Sequence, residues 1–238
     1  MTQSQPCPVA IVTGASRGFG KALTAALLDR GWTVVGDARR AAELETTAQE
    51  LDSTQLVAIP GDISDATHRD ALVAAAINAG PLRLLVNNAS RLGPSPQPAL
   101  ADYPASELWA VYHTNLFAPL ALIQSALPAL TDNAGVIVNL TSDAAVEPYP
   151  GWGGYGSSKA ALDQLSAVLA AENSAVPVYA FDPGDMRTEM HQAAFPREDI
   201  SDRAEPKSVV PALLRLLDTR PAAGRYRAAD LTLSGSRR

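Results

Sequence analysis

Cysteine occurs once in this chain of 238 residues, at Cys7. No intrachain disulfide can form, and a reducing, cytoplasmic setting is expected. Net positive charge is also missing. The formal charge is −6, which argues against general nucleic-acid binding. No apolar run reaches the length of a bilayer span, so no membrane partner is expected. Met1 to Pro8 has neither a basic region nor an apolar segment, so no secretory signal is expected there. Internal repeats are absent. No His/Cys cluster has metal-ligand spacing, so no metal is expected. Lysine is scarce, with three in all. What is present is ordinary globular composition, 47 % hydrophobic and 18 % charged, at a length α/β folds commonly use as one domain.

Short apolar runs alternate with longer helical patterns. Strands are expected over Pro8–Thr13, Thr33–Asp37, Gln55–Pro60, Arg83–Asn87, Gly135–Thr141, Val176–Phe181 and Tyr226–Leu231. Helices are expected over Gly18–Arg30 (closed by Gly31), Ala41–Leu51, Asp65–Asn78, Gly154–Asn173 and Ser208–Leu217. A longer one should cover Ala105–Leu130, interrupted near Pro119. A Pro-rich loop fills Gly93 to Pro98. This alternation implies parallel strands with right-handed crossovers. Near-continuous apolar strands imply a sheet covered on both faces. The fold class is therefore α/β, a doubly wound parallel sheet of about seven strands. Residues 8–233 should form one domain, between a flexible 1–7 and a frayed tail at 234–238. Ligands of such a sheet bind beyond the carboxyl ends of its strands.

Tyr155-Gly-Ser-Ser-Lys159 carries the most chemistry. Residues four apart on a helix share one face. Six tyrosines and three lysines make the spacing uncommon by chance, roughly 0.1 per chain. A unit charge at ~4 Å in an effective dielectric of about 20 is worth roughly 4 kcal/mol. That is about 3 pKa units in favour of the phenolate. The pair can give a proton to a carbonyl oxygen, or take one from an alcohol, near pH 7.

After the first strand comes Thr13-Gly14-Ala15-Ser16-Arg17-Gly18-Phe19-Gly20. Glycines there let a pyrophosphate approach the backbone and a helix N-terminus. With this spacing the chain resembles the short-chain dehydrogenase/reductase family, in its branch of about 250 residues. The resemblance runs on through Asp62, Asn87-Asn88-Ala89, Asn115, Ser142, Tyr155-x-x-x-Lys159 and Pro183-Gly184 with Thr188. It implies a Rossmann-like fold and a nicotinamide cofactor held by Gly14, Ser16, Arg17, Gly18, Phe19 and Gly20 in the first loop. Arg39 would hold it after the second strand, Asp62 and Ile63 would flank the adenine, and Asn88, Ala89 and Ser90 would border the riboses. Pro183, Gly184, Met186 and Thr188 would lie near the nicotinamide. In the family's NAD-type pattern an acid stands where Ala38 stands here. With Arg39 next and Arg17 nearby, NADP(H) is favoured. Asp37, one residue earlier, argues the other way. Ser90 replaces the family's usual glycine, and its hydroxymethyl either narrows the site or adds a hydrogen bond.

The resemblance implies that Tyr155 is the general acid in reduction and general base in oxidation. Lys159 lowers its pKa and binds the nicotinamide ribose, Ser142 donates to the substrate oxygen, and Asn115 supports a water leading to Lys159. Simpler roles stay open: Ser142 as a turn cap, Asn115 as a satisfied buried amide. Asp143 reads as a loop residue facing polar groups. Tyr149, Trp152, Met190 and Phe195 are candidate substrate contacts. His191 reads as a surface residue, and about 186–206 as a lid over the substrate.

The function implied is an NADP(H)-dependent carbonyl reductase or alcohol dehydrogenase acting on a ketone/secondary alcohol pair. Alternatives are a C=N reductase, of imine or pteridine-like substrates, and a non-catalytic NADP(H)-binding sensor or scaffold. The longer epimerase and dehydratase branch has a different glycine spacing. Family members associate through the long helix and the catalytic helix. Ala160-Ala161 and Ala167 to Ala171 would allow close packing there, so a homodimer or homotetramer is expected.

Overall fold

Each strand is an apolar run followed by a helix, so each connection crosses one face of the sheet and returns in the same direction. The computed structural model describes residues 7–233. Expectations for the chain ends fall on residues 1–6 and 234–238, outside the described residues, apart from Cys7, which is exposed. The strands are β1 (Val9–Val12), β2 (Thr33–Ala38), β3 (Leu56–Pro60), β4 (Leu82–Asn87), β5 (Val136–Leu140), β6 (Val178–Asp182) and β7 (Gly224–Arg227). They form one sheet in the order β3-β2-β1-β4-β5-β6-β7, and every neighbouring pair is parallel. The helices are α1 (Gly18–Asp29), α2 (Ala41–Leu51), α3 (Ala66–Ala79), α4 (Ala105–Tyr112), α5 (Ala118–Asp132), α6 (Gly153–Glu172), α7 (Glu189–Ala194), α8 (Pro206–Thr219) and α9 (Ala228–Leu233).

Both sheet faces are dry, and β1 shows why. Its sequence Val-Ala-Ile-Val is buried throughout. Alternation sends Ala10 and Val12 toward Leu23 and Leu27 of α1 and Leu213 of α8. It sends Val9 and Ile11 toward Leu72 of α3 and Leu122 of α5. A strand buried on both sides has no polar face to alternate with. The chain winds outward from β1 to β3, then returns to β4 on the other side of β1. That reversal opens a crevice at the carboxyl ends of β1 and β4.

Two local expectations are corrected, at the last strand and the sixth. The last strand lies at Gly224–Arg227, and Ala228–Leu233 is helical. Ala228-Ala229 favours helix, and the four-residue strand already spans its β6 partners, Tyr179 to Asp182. The long helix is broken at a π-turn over His113–Phe117. The interruption expected near Pro119 lies two residues before it, and the backbone stays helical on both sides, at Tyr112 and Ala118. The π-turn places Asn115 fully inside the protein, as such turns often do at functional sites. The sixth strand starts two residues late, at Val178. Asp65 does open a helix, its carboxylate accepting from the Thr67 N–H. Among the described residues no helix is long and apolar enough to cross a membrane.

Candidate active site

The glycine loop is shaped by close approach. A Cβ on Gly20 would lie 2.2 Å from the Gly14 carbonyl oxygen and 2.5 Å from Asn88 Nδ2. Gly14 and Gly18 have φ of 69° and 54°, a region other residues enter at a cost. The loop is tied to the β4 end. Asn88 Nδ2 donates to the carbonyls of Thr13 and Gly14 at 2.7 and 3.1 Å, and Thr13 Oγ1 accepts from the N–H groups of Asn88 and Ala89, both at 2.9 Å.

Asp37 is an internal strut. It is 2 % exposed. Its Oδ1 accepts from the Gly14 N–H at 2.8 Å, and its Oδ2 lies 3.0 Å from His68 Nε2. One oxygen holds the loop and the other meets His68 of α3, which removes the objection that Asp37 raised to an arginine-lined cofactor end. Beyond it, Arg17, Arg39 and Arg40 line a crevice of about 470 Å³ with Gly14, Ser16 and Gly18. Arg17 pairs with Glu189. Arg40 pairs with Glu43 and lies 3.8 Å from Glu189. Among the described residues Arg39 has no ion pair. α1 starts at Gly18 without a side-chain cap, leaving its first N–H groups open to an anion. A cradle without Cβ atoms, an uncapped helix start and a cluster of guanidinium groups fit a phosphorylated dinucleotide.

Tyr155 and Lys159 meet in the same crevice. They are 8 % and 2 % exposed. Lys159 Nζ donates to the Leu140 carbonyl at 2.8 Å and lies 5.6 Å from the centre of the Tyr155 ring. Burial pushes the ammonium down to about 8, and the Asp163 carboxylate pulls it back up. Burial also raises the phenol of Tyr155. The Ser90 hydroxyl opposes that, Asp182 and Asp143 add to it, and Ser142 opposes it again. The expected lowering by Lys159 is therefore not seen. Desolvation outweighs the charge, and the ammonium is directed at Leu140. The phenol therefore carries its proton at neutral pH, while the same burial makes it a weaker acid than free tyrosine.

Ser142 Oγ donates to Asp143 Oδ1 at 2.9 Å and accepts from the Ala144 N–H at 3.2 Å, so it also caps a short turn. Asn115 is fully satisfied. Its Oδ1 accepts from the Arg91 N–H and the Ser90 hydroxyl at 2.7 and 3.2 Å, and its Nδ2 donates to the Arg91 carbonyl and Ser158 Oγ at 2.9 and 3.0 Å. It ties the β4 loop to α6. The hydroxyl that Ser90 adds is thus used, between Asn115 and the Tyr155 phenol.

A second cavity, of about 340 Å³, adjoins Tyr155 and Ser142 under the segment that carries α7. Trp152 stands edge-on to Tyr155 at 5.7 Å and tilted against Phe195 at 5.8 Å. Met190, Tyr149 and Asp185 also line it.

A family model described as short chain dehydrogenase matches residues 8–199. The chain belongs to the short chain dehydrogenase family. It is 36 % identical over 203 residues to sepiapterin reductase of Mus musculus, covering 79 % of this chain and 78 % of the mouse protein. It is 38 % identical over 186 residues to serine 3-dehydrogenase of Agrobacterium fabrum, covering 75 % and 72 %. A solved short chain dehydrogenase of Shigella flexneri complexed with NADP has a TM-score of 0.87 at 27 % identity, covering 94 % of this chain and 98 % of that one.

Within this oxidoreductase, Gly14, Ser16, Arg17, Gly18, Phe19, Arg39, Asp62, Ile63, Asn88, Ala89, Ser90, Pro183, Met186 and Thr188 all line the first crevice. Gly20 and Asn115 lie behind it. Gly184 faces the second cavity with Ser142, Tyr149, Trp152, Met190 and Phe195. His191 corrects the expectation of a surface residue. It is 9 % exposed, and its ring lies tilted against Phe195 at 4.9 Å, since α7 turns it inward. Sequence reasoning missed Glu189, whose pairing with Arg17 spans 172 residues. It also missed Arg225, whose partners are 43 to 83 residues away. No local motif marks such distant pairs.

Proposed function

We propose that this short chain dehydrogenase uses NADP(H) to interconvert a ketone and a secondary alcohol. The observation that carries this reading is the buried Tyr155 phenol, facing both cavities beside Ser142 and Lys159. When bound, the reduced nicotinamide supplies hydride to the carbonyl carbon. Tyr155 gives its proton to the carbonyl oxygen, which leaves as the alcohol. Ser142 exchanges Asp143 for the substrate oxygen and donates a second hydrogen bond as negative charge builds there. Lys159 offsets the phenolate charge left behind. Asn115 and Ser90 fix the loop against which these groups are placed. The segment 186–206 acts as a lid, and Trp152 and Phe195 offer the substrate an aromatic wall. Arg39 and Arg40 after β2, with Arg17 from the glycine loop, support NADP(H) over NAD(H). The single cysteine supports a reducing, cytoplasmic setting.

The test is a screen of NADPH oxidation against ketones and cyclic imines. Ketone turnover is expected, falling above pH of about 8 as Lys159 loses its proton. Imine turnover alone would select the C=N reading. Tight NADPH binding with no turnover of any compound would select a sensor.

Trp109 and Phe117 are 63 % and 50 % exposed. With His113 between them they form an aromatic row on the α4–α5 face, the first two rings stacked at 4.6 Å. We propose that this face and α6 join copies into a homodimer or homotetramer. Light scattering at micromolar concentration should give the mass of two or four chains, and Trp109→Glu with Phe117→Glu should give one.

A further inference from the structure

Arg225 lies on the edge strand β7, outside every motif, yet its guanidinium touches three parts of the active site. Its Nε donates to Asp163 Oδ2 of α6 at 3.1 Å. One Nη donates to Asp182 Oδ2 at the end of β6 at 2.9 Å, and to the Ser142 carbonyl at 3.0 Å. Each partner adjoins a group with work to do. Asp163 stands one helical turn beyond Lys159 on the same face. The other oxygen of Asp182 accepts from the Gly184 N–H at 3.0 Å, which fixes the Pro183-Gly184 turn. The Ser142 carbonyl belongs to the residue whose hydroxyl meets the substrate in the reading above. A planar fork of donors can serve these acceptors together, where a lysine ammonium offers one compact point.

We propose that Arg225 is a positioning residue that clasps the Ser142 backbone, the Lys159 helix and the Pro183-Gly184 turn in one register, and that it shares Asp163 with Lys159. The carboxylates are 17 % and 4 % exposed at Asp163 and Asp182, against 26 % for Arg225. Solvent screens the cluster little. The charged and titratable groups around Lys159 are Tyr155 and Asp163 on α6, Asp182 on β6, Arg225 on β7 and Asp143 after β5. Burial raises the Asp163 carboxyl above its ordinary range, against the Thr141 hydroxyl, the Arg225 guanidinium and Lys159, which each lower it. Asp163 in turn keeps Lys159 charged against its own burial. Arg225 and Lys159 thus compete for one carboxylate.

That competition gives a signature a purely structural arginine would lack. The chain contains only Lys21, Lys159 and Lys207, so carbon-13-labelled lysine gives three side-chain signals. The Lys159 signal is assigned by its loss in Lys159→Arg. In the wild-type chain it should titrate near about 8. Asp163→Asn should move it to lower pH, because the ammonium loses its counter-charge. Arg225→Met should move it to higher pH, because Asp163 then pairs with Lys159 alone. Opposite movements support the proposal. No movement, or movement in the same direction, overturns it.

The kinetic arm rests on the proposed function. Arg225→Met should lower kcat about tenfold or more through misplacement of Ser142 and Lys159, with KM for NADPH changed less than about twofold. Arg225→Lys should recover little. A folded Arg225→Met enzyme with kcat within about twofold of wild type would overturn the clasp. If Arg225→Met does not fold, Arg225→Gln takes its place in the titration, with the same direction expected. If the wild-type chain reduces nothing, the proposed reaction fails, while the lysine titration still decides the role of Arg225.

Discussion

Replacing Tyr155 with Phe should lower kcat for carbonyl reduction by about 10²–10⁴-fold, the usual worth of a positioned general acid. NADPH binding, followed by quenching of its fluorescence, should change little. The substitution removes one oxygen and keeps the ring. Trp152 therefore keeps its edge contact at 5.7 Å and the surrounding side chains keep their packing. What goes is the proton held in the crevice. Burial keeps the phenol protonated well above neutral pH, so in the wild-type chain the acid is present throughout the working range. Ser142 can still donate to the carbonyl oxygen, which leaves some stabilisation of charge but no proton to give. Residual turnover in the variant should therefore follow solvent acidity. Turnover equal to wild type at pH 7 would remove Tyr155 from the mechanism.

Arg39→Ala should raise KM for NADPH by about 10–100-fold, the loss of one or two charge-assisted hydrogen bonds to a phosphate. KM for NADH should stay within about twofold, because a ribose 2′-hydroxyl carries no charge to lose. Arg39 is singled out from its neighbours by its partners. Arg17 and Arg40 both lie against Glu189, and Arg40 also pairs with Glu43. Part of their charge is already answered, so Arg17→Ala and Arg40→Ala should show smaller ratios. Asp37 does not compensate, since its carboxylate is turned onto Gly14 and His68. Steady-state rates with both cofactors measure the ratio directly. An equal rise in both KM values would mean that Arg39 shapes the crevice without reading the phosphate.

Much of this was legible in local residues. The alternation of apolar runs and helices predicts the parallel doubly wound sheet, because strands buried on both faces leave no polar side to hide. The glycine loop and the Tyr155/Lys159 pair carry their geometry within a few residues, so short spacing is enough to find them. The edges were less legible. The π-turn at His113–Phe117 depends on burying Asn115 against Arg91 and Ser158, and neither partner is near it in sequence. His191 is turned inward over a cavity that segments distant in sequence enclose, although its ring neighbour Phe195 is only four residues on.

The amino-acid sequence alone determined the alternation of strands and helices, the glycine-rich turn after β1 and the Tyr155/Lys159 pair, because each is encoded by periodicity or by spacing over a few residues. Tertiary structure decided which charges are free. It turned Asp37 inward, set Glu189 against Arg17 and Arg40, and brought Arg225 to Asp163, Asp182 and Ser142. The physical reason is that an ion pair or a desolvation cost depends on distance in space and on excluded water. Those two quantities exist only once distant segments are packed together.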